Sequence, residues 1–154
     1  MKHPEPQPTR TLPGAKAAQT GEREKIQRVI ERRGLCGLAN DTRWDELITA
    51  MRDYAGQRPA YRWKCVDGRP VGWETEWLYH LPFPMISVEW MDLLFRHHPL
   101  RPGMSGPVWV TGEVEDHAER IETIVKAIGF EYTMGKNMLR IFGYSPKDLN
   151  LFDD

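Results

Sequence analysis

The chain has 154 residues, 40% of them hydrophobic and 28% charged, which suits one domain with a substantial core. No apolar run approaches the roughly 20 residues of a membrane helix, and the N-terminus lacks a signal-peptide apolar stretch, so a cytoplasmic protein is expected. With 21 Lys and Arg against 22 Asp and Glu, the net charge of -1 offers no global basic field to hold nucleic acid.

Residues 1–20 hold Pro4, Pro6, Pro8 and Pro13 with almost no large apolar side chain, and read as a disordered tail of charge +2. The remainder is mildly acidic, at -3. Ile26, Val29 and Ile30 recur at i, i+3, i+4 and predict a short helix over 22–33, ended by Gly34. Trp44, Leu47, Ile48, Met51 and Tyr54 form one stripe and predict a second helix over 42–54. Asn40, Asp41 or Thr42 caps it, with Thr42 and Asp45 as a partial capping box.

Beyond Gly56 and Pro59 the hydrophobic period drops to that of a strand. YRWKCV and VGWETEWLYH alternate, and Asp67-Gly68-Arg69-Pro70 joins them as a hairpin. Pairing Trp63 with Trp73 also places Arg62 opposite Glu74, so charge and apolarity favour one register. A further strand is read from Met85 to Trp90, with Ile86, Val88 and Trp90 on one face, although Val88, Met91, Leu94 and Phe95 also satisfy helical spacing.

RHHPLRPGMSGP reads as loop, and Val108–Val110 as a short strand. The clearest element is a helix whose stripe is Val114, Ala118, Ile121, Ile124, Val125 and Ile128, with Glu113, Glu115 and Asp116 at its positive end and Gly129 as its stop. FEYTM and MLRIF then form a hairpin around Gly135-Lys136, pairing Phe130 with Ile141, Tyr132 with Leu139 and Glu131 with Arg140. Strands and helices that do not alternate strictly indicate an α+β fold: an antiparallel sheet of about five strands against two or three helices. One domain over residues 21–146 is expected, followed by a flexible acidic tail over 147–154.

Several chemistries fail on spacing. Gly129 to Asn137 has no Ser or Thr after Lys136 and follows a helix, so it is no phosphate loop. GMSGP around Ser105 is one residue short of a nucleophile elbow. Cys36 and Cys65 lack metal or redox spacing and read as reduced structural thiols. His97 and His98 are adjacent and point apart in an extended chain, and His117 reads as a boundary residue. No metal or cofactor site is expected.

The candidates for acid-base work are Glu74, Glu76 and His80 on one side of a strand, with Arg62 and Lys64 on the neighbour and Glu89 as a further carboxylate. Alternating charge is what the solvated face of an antiparallel sheet normally shows, and that is the reading expected of this one. The six tryptophans fall mostly on apolar sides and read as core, any exposed one being an interface candidate.

NDTRW, WETEWLYH, SVEW and GFEYTMGKNMLRIFGY together resemble a family of small uncharacterised bacterial domains over roughly residues 39–144, which implies a compact α+β fold and carries no activity. The small, acidic, tryptophan-rich character is similar to that of immunity proteins that bind and block a toxin. Asp148-Leu149-Asn150-Leu151-Phe152 resembles the Gln-Leu-x-Leu-Phe peptide that docks on the bacterial sliding DNA clamp, with Asp148 in place of Gln. That resemblance implies partner contacts at Leu149, Leu151 and Phe152. The expectation is a non-enzymatic protein-binding domain of immunity or adaptor type, with a small hydrolase or metal- or ligand-binding protein using the Glu/His sheet face, and the clamp peptide, as alternatives.

Overall fold

The computed structural model describes residues 13–97 and 115–152, with side chains from Gly21 to Arg96 and from Glu115 onward. The elements run α1 (Pro13–Arg33), β1 (Cys36–Gly37), α2 (Asp41–Arg52), β2 (Tyr61–Cys65), β3 (Pro70–Glu74), a 3-10 turn (Met85–Ser87), β4 (Val88–Leu94) and β5 (Arg96–His97). They continue with β6 (Glu115–Asp116), α3 (Ala118–Ile128), β7 (Tyr132–Met134), β8 (Met138–Phe142) and β9 (Tyr144–Ser145). Five strands form an antiparallel sheet in the order β3-β2-β4-β8-β7, and β1-β9 and β5-β6 make two-stranded ribbons. The fold is α+β.

One face of this sheet makes the main core. Tyr61 and Trp63 from β2, Met91 and Leu93 from β4 and Leu139 and Ile141 from β8 pack against Trp44, Leu47, Ile48 and Met51 of α2 and Ile121 and Val125 of α3. Removing these side chains from water supplies the main driving force, at about 1.5–3 kcal/mol for each large residue. Trp44 meets Phe130 at 5.0 Å between ring centroids, tying α2 to the end of α3. A second cluster, Ile26 and Ile30 of α1 with Val66 and Tyr144, seats the first helix at one end.

The helices follow their apolar stripes more closely than their expected ends. α1 begins at Pro13, inside the segment expected as a tail, with proline in the first turn where its missing N–H costs least. α2 ends at Arg52 and is capped by Asn40, whose Oδ1 accepts from Arg43 N at 2.9 Å, rather than by a Thr42–Asp45 box. α3 starts at Ala118 because Glu115 and Asp116 pair with His97 and Arg96 as strand. Gly129 takes the left-handed conformation at φ 98°, as its place after the stripe predicted.

Both hairpins form, in other registers than expected. Tyr61 pairs with Glu74 and Trp63 with Val71, so β3 takes an extra residue across that step, and Trp63 and Trp73 lie on opposite faces. In the second hairpin Tyr132 pairs with Ile141 and Met134 with Leu139, two residues from the expected register, with side-chain faces preserved. Gly135 N donates to Met138 O at 2.8 Å, so Lys136-Asn137 form the connection.

The ambiguous stretch after Met85 is a strand, and it is central, but it runs from Val88 to Leu94. Lys64 pairs with Trp90 and Cys65 with Val88, leaving Glu89 as an extra residue that turns Trp90 away from the core face held by Val88. Gly143 lies against this irregularity: a Cβ there would sit 2.2 Å from Val88 O. The expected strand at Val108–Val110, the loop with Ser105 and His98, and Trp109 all lie outside the described residues.

Candidate functional site

Glu74, Glu76 and His80 are brought together, but by a loop. β3 ends at Glu74, so the expected strand running to His80 is replaced by a tight turn of chain over residues 75–80. Glu76 Oε1 accepts the backbone N–H groups of Leu78, Tyr79 and His80 at 2.9, 2.7 and 2.8 Å. Glu74 Oε1 accepts from Thr75 N and Glu76 N, while its Oε2 lies 3.0 Å from His80 Nδ1. Partial burial works to raise the Glu76 pKa, but the three N–H donors and His80 outweigh it and hold the carboxyl below its ordinary range.

The rest of the domain fastens this loop at further points. Arg52 at the end of α2 donates to the carbonyls of Trp77 and Leu78, the Tyr61 hydroxyl donates to the Glu76 carbonyl, and Trp77 Nε1 donates to Pro59 O at 2.9 Å. Burial pushes the Tyr61 phenol up, with Glu74 and Glu76 acting in the same direction. Trp77 is thereby buried in the core, whereas the next two side chains face water: Leu78 is 47% and Tyr79 78% exposed.

The other face of the sheet, expected to be solvated, is covered. Strand register sets Arg62 of β2 opposite Asp92 of β4, and Asp92 opposite Arg140 of β8. Asp92 and Arg140 are fully buried, so Asp92 receives Arg140 Nε at 2.7 Å, Arg140 Nη2 at 2.9 Å and Arg62 Nε at 2.8 Å. Trp90 stacks beside them, with the Arg140 guanidinium 3.5 Å from its ring centroid. Next along, Glu89 is buried and takes Arg33 at 2.7 and 3.1 Å.

The cover is the C-terminal segment, expected as a flexible tail. Asp148 meets Lys64 Nζ at 2.7 Å and Trp90 Nε1 at 3.2 Å. Arg140 Nη1 donates to the carbonyls of Asp148 and Asn150 at 2.9 and 2.7 Å, and Arg62 donates to that of Leu151. Burial raises the Asp148 pKa, yet Lys64 and the Asn150 and Trp90 donors prevail and hold it below the usual carboxylate range. Of the three expected partner contacts, Phe152 packs inward on the Ala60, Leu94 and Met138 cluster, while Leu149 and Leu151 are 59% and 62% exposed.

A family model matches residues 26–148, from α1 through Asp148 of the C-terminal segment. The chain belongs to DUF6678, a family of unknown function. No curated protein and no solved structure matches it significantly. The DUF6678 match covers the sheet, α2 and α3, the Glu74–His80 loop and the buried Arg62–Asp92–Arg140 row.

Sequence reasoning missed that row. The available signal was a lone charge inside an apolar run, Asp92 in WMDLL and Arg140 in MLRIF, which a half-solvated strand pattern also produces. Elsewhere, a cleft of about 440 Å³ opens between α1, the β2–β3 turn and the Pro82–Pro84 stretch. Half-buried Cys65 lines it, and burial pushes its thiol up, away from nucleophilic character. Among the described residues, no group of three His, Cys, Asp or Glu side chains is placed to share a metal ion.

Proposed function

We propose that the protein is a non-enzymatic bacterial domain of the cytoplasm that acts by binding another protein, in an immunity or adaptor role. The observation that supports this reading is the loop over residues 75–80. It presents Leu78 and Tyr79 to solvent on a backbone pinned by Glu76, Arg52 and Tyr61. An exposed aromatic and an exposed leucine side by side gain little from their own domain, while a preorganised backbone loses little entropy when a partner covers them. Tyrosine is also among the residues that most often anchor protein interfaces.

A photo-crosslinking phenylalanine analogue at position 79, used in native cells, tests the reading. One dominant protein adduct is expected, and its binding falls at least about ten-fold in a Leu78→Ala, Tyr79→Ala variant of unchanged melting temperature. No adduct, or binding indifferent to the double substitution, would sink it.

One observation favours the hydrolase alternative: Glu74 holds His80 Nδ1 at 3.0 Å, the orientation that leaves Nε2 available for proton transfer. Under that reading Glu74→Gln abolishes turnover of a substrate while leaving partner binding intact; under the binding reading neither changes.

A further inference from the structure

The C-terminal strap is held in a manner that other chains can reproduce. Its grip comes from the carbonyls of Asp148, Asn150 and Leu151, one carboxylate at position 148 and one ring at position 152. The side chains of Leu149 and Leu151 stay largely in water and are not read. The strap is a turn: Phe152 N donates to Leu149 O at 3.1 Å, and Leu151 takes the left-handed conformation at φ 67°. The groove therefore selects a turn of backbone carrying a carboxylate and, four residues later, an aromatic ring.

Charge supports the same conclusion. Without Asp148 the outer face presents Arg33, Arg62, Lys64 and Arg140 against Glu89 and Asp92, an excess of cations held in a setting of low dielectric beside Trp90. Removing the strap would also leave two donors of the fully buried Arg140 without their carbonyls. Such a groove favours exchange of one peptide for another over standing empty. The strap follows β9, so its departure breaks no strand of the five-stranded sheet.

We propose that this outer sheet face is a recognition groove for an acidic, turn-forming peptide of a partner protein, with residues 147–152 as its occupant in cis. This surface is separate from the Leu78–Tyr79 loop, and either can fail without the other. The strap then sets the affinity for the partner, because an incoming peptide must first displace it.

The test uses a labelled peptide of sequence Lys-Asp-Leu-Asn-Leu-Phe, titrated into the full-length protein and into a full-length variant with Asp148→Ala and Phe152→Ala. Saturable binding to the variant is expected, at least about ten-fold tighter than to the unaltered protein, whose own strap competes. Replacing the peptide's Asp by Asn weakens it a further ten-fold or so. A folded variant that ignores millimolar peptide overturns the proposal. Should the variant fail to fold by near-UV circular dichroism, millimolar unlabelled peptide is added to the unaltered ¹⁵N-labelled protein. Shifts at the Trp90 indole N–H and the amides of residues 148–151 are expected, and an unchanged spectrum overturns the proposal.

Discussion

The charged row Arg62–Asp92–Arg140 and the charged trio Glu74–Glu76–His80 differ in how their members find one another. The row is assembled from three strands distant in sequence, and the chain covers it until Asp92 and Arg140 lose all contact with water. The trio lies within seven consecutive positions and is wrapped around its own backbone at the surface, with Glu76 accepting from three successive N–H groups. Burial turns the first into a structural lock that fails if one member is lost. Local wrapping turns the second into a rigid mount whose loss stays local.

The largest effect is expected from breaking the row. Arg140→Met leaves buried Asp92 with Arg62 as its remaining cation and costs about 3–5 kcal/mol in denaturant unfolding, whereas the paired Asp92→Leu, Arg140→Met change recovers part of that loss. A double variant no more stable than the single one would show that the row is not acting as a coupled unit.

Glu76→Ala comes next, at about 1–2 kcal/mol, because its three N–H partners sit near water that can replace the carboxylate. Hydrogen exchange at Leu78, Tyr79 and His80 should accelerate more than exchange in β4 and β8. Equal acceleration in those strands would contradict the local character of the mount.

Asp148→Asn is expected to cost about 1–2 kcal/mol at neutral pH through its contacts with Lys64 and Trp90. The folded-state pKa of Asp148 lies below its ordinary value, so its stabilisation is fully present above about pH 4 and is lost as pH falls through the depressed value. The difference between variant and parent should therefore shrink on acidification, and a difference that grew instead would reverse the assigned sign. The smallest effect belongs to His80→Ala, within about 0.5 kcal/mol, since its hydrogen bond with Glu74 is exposed to water. Thermal melts of the two proteins should superimpose.

Much of this was legible in the sequence where a stripe or an alternation was long enough to average over its neighbours. The α2 stripe from Trp44 to Met51, the α3 stripe closed by Gly129 and both hairpins emerged at their expected places. Registers did not: an extra residue near Trp73 moves side chains between faces with almost no local signature, and the two-residue shift in the second hairpin keeps the faces and so leaves the alternation unchanged. Glu74, Glu76 and His80 were found together because they are near in sequence, although the loop that joins them was read as strand.

Local patterning thus determined the α+β class, the helix faces and the position of the acidic loop, since those depend on contacts a few residues apart. Tertiary structure alone decided that Arg62, Asp92 and Arg140 share a row, that Trp90 turns outward and that residues 147–152 lie across them. Each of those outcomes depends on strand register and on a covering segment supplied by another part of the chain. A charge on a strand reads the same in sequence whether it meets water or a guanidinium three strands away.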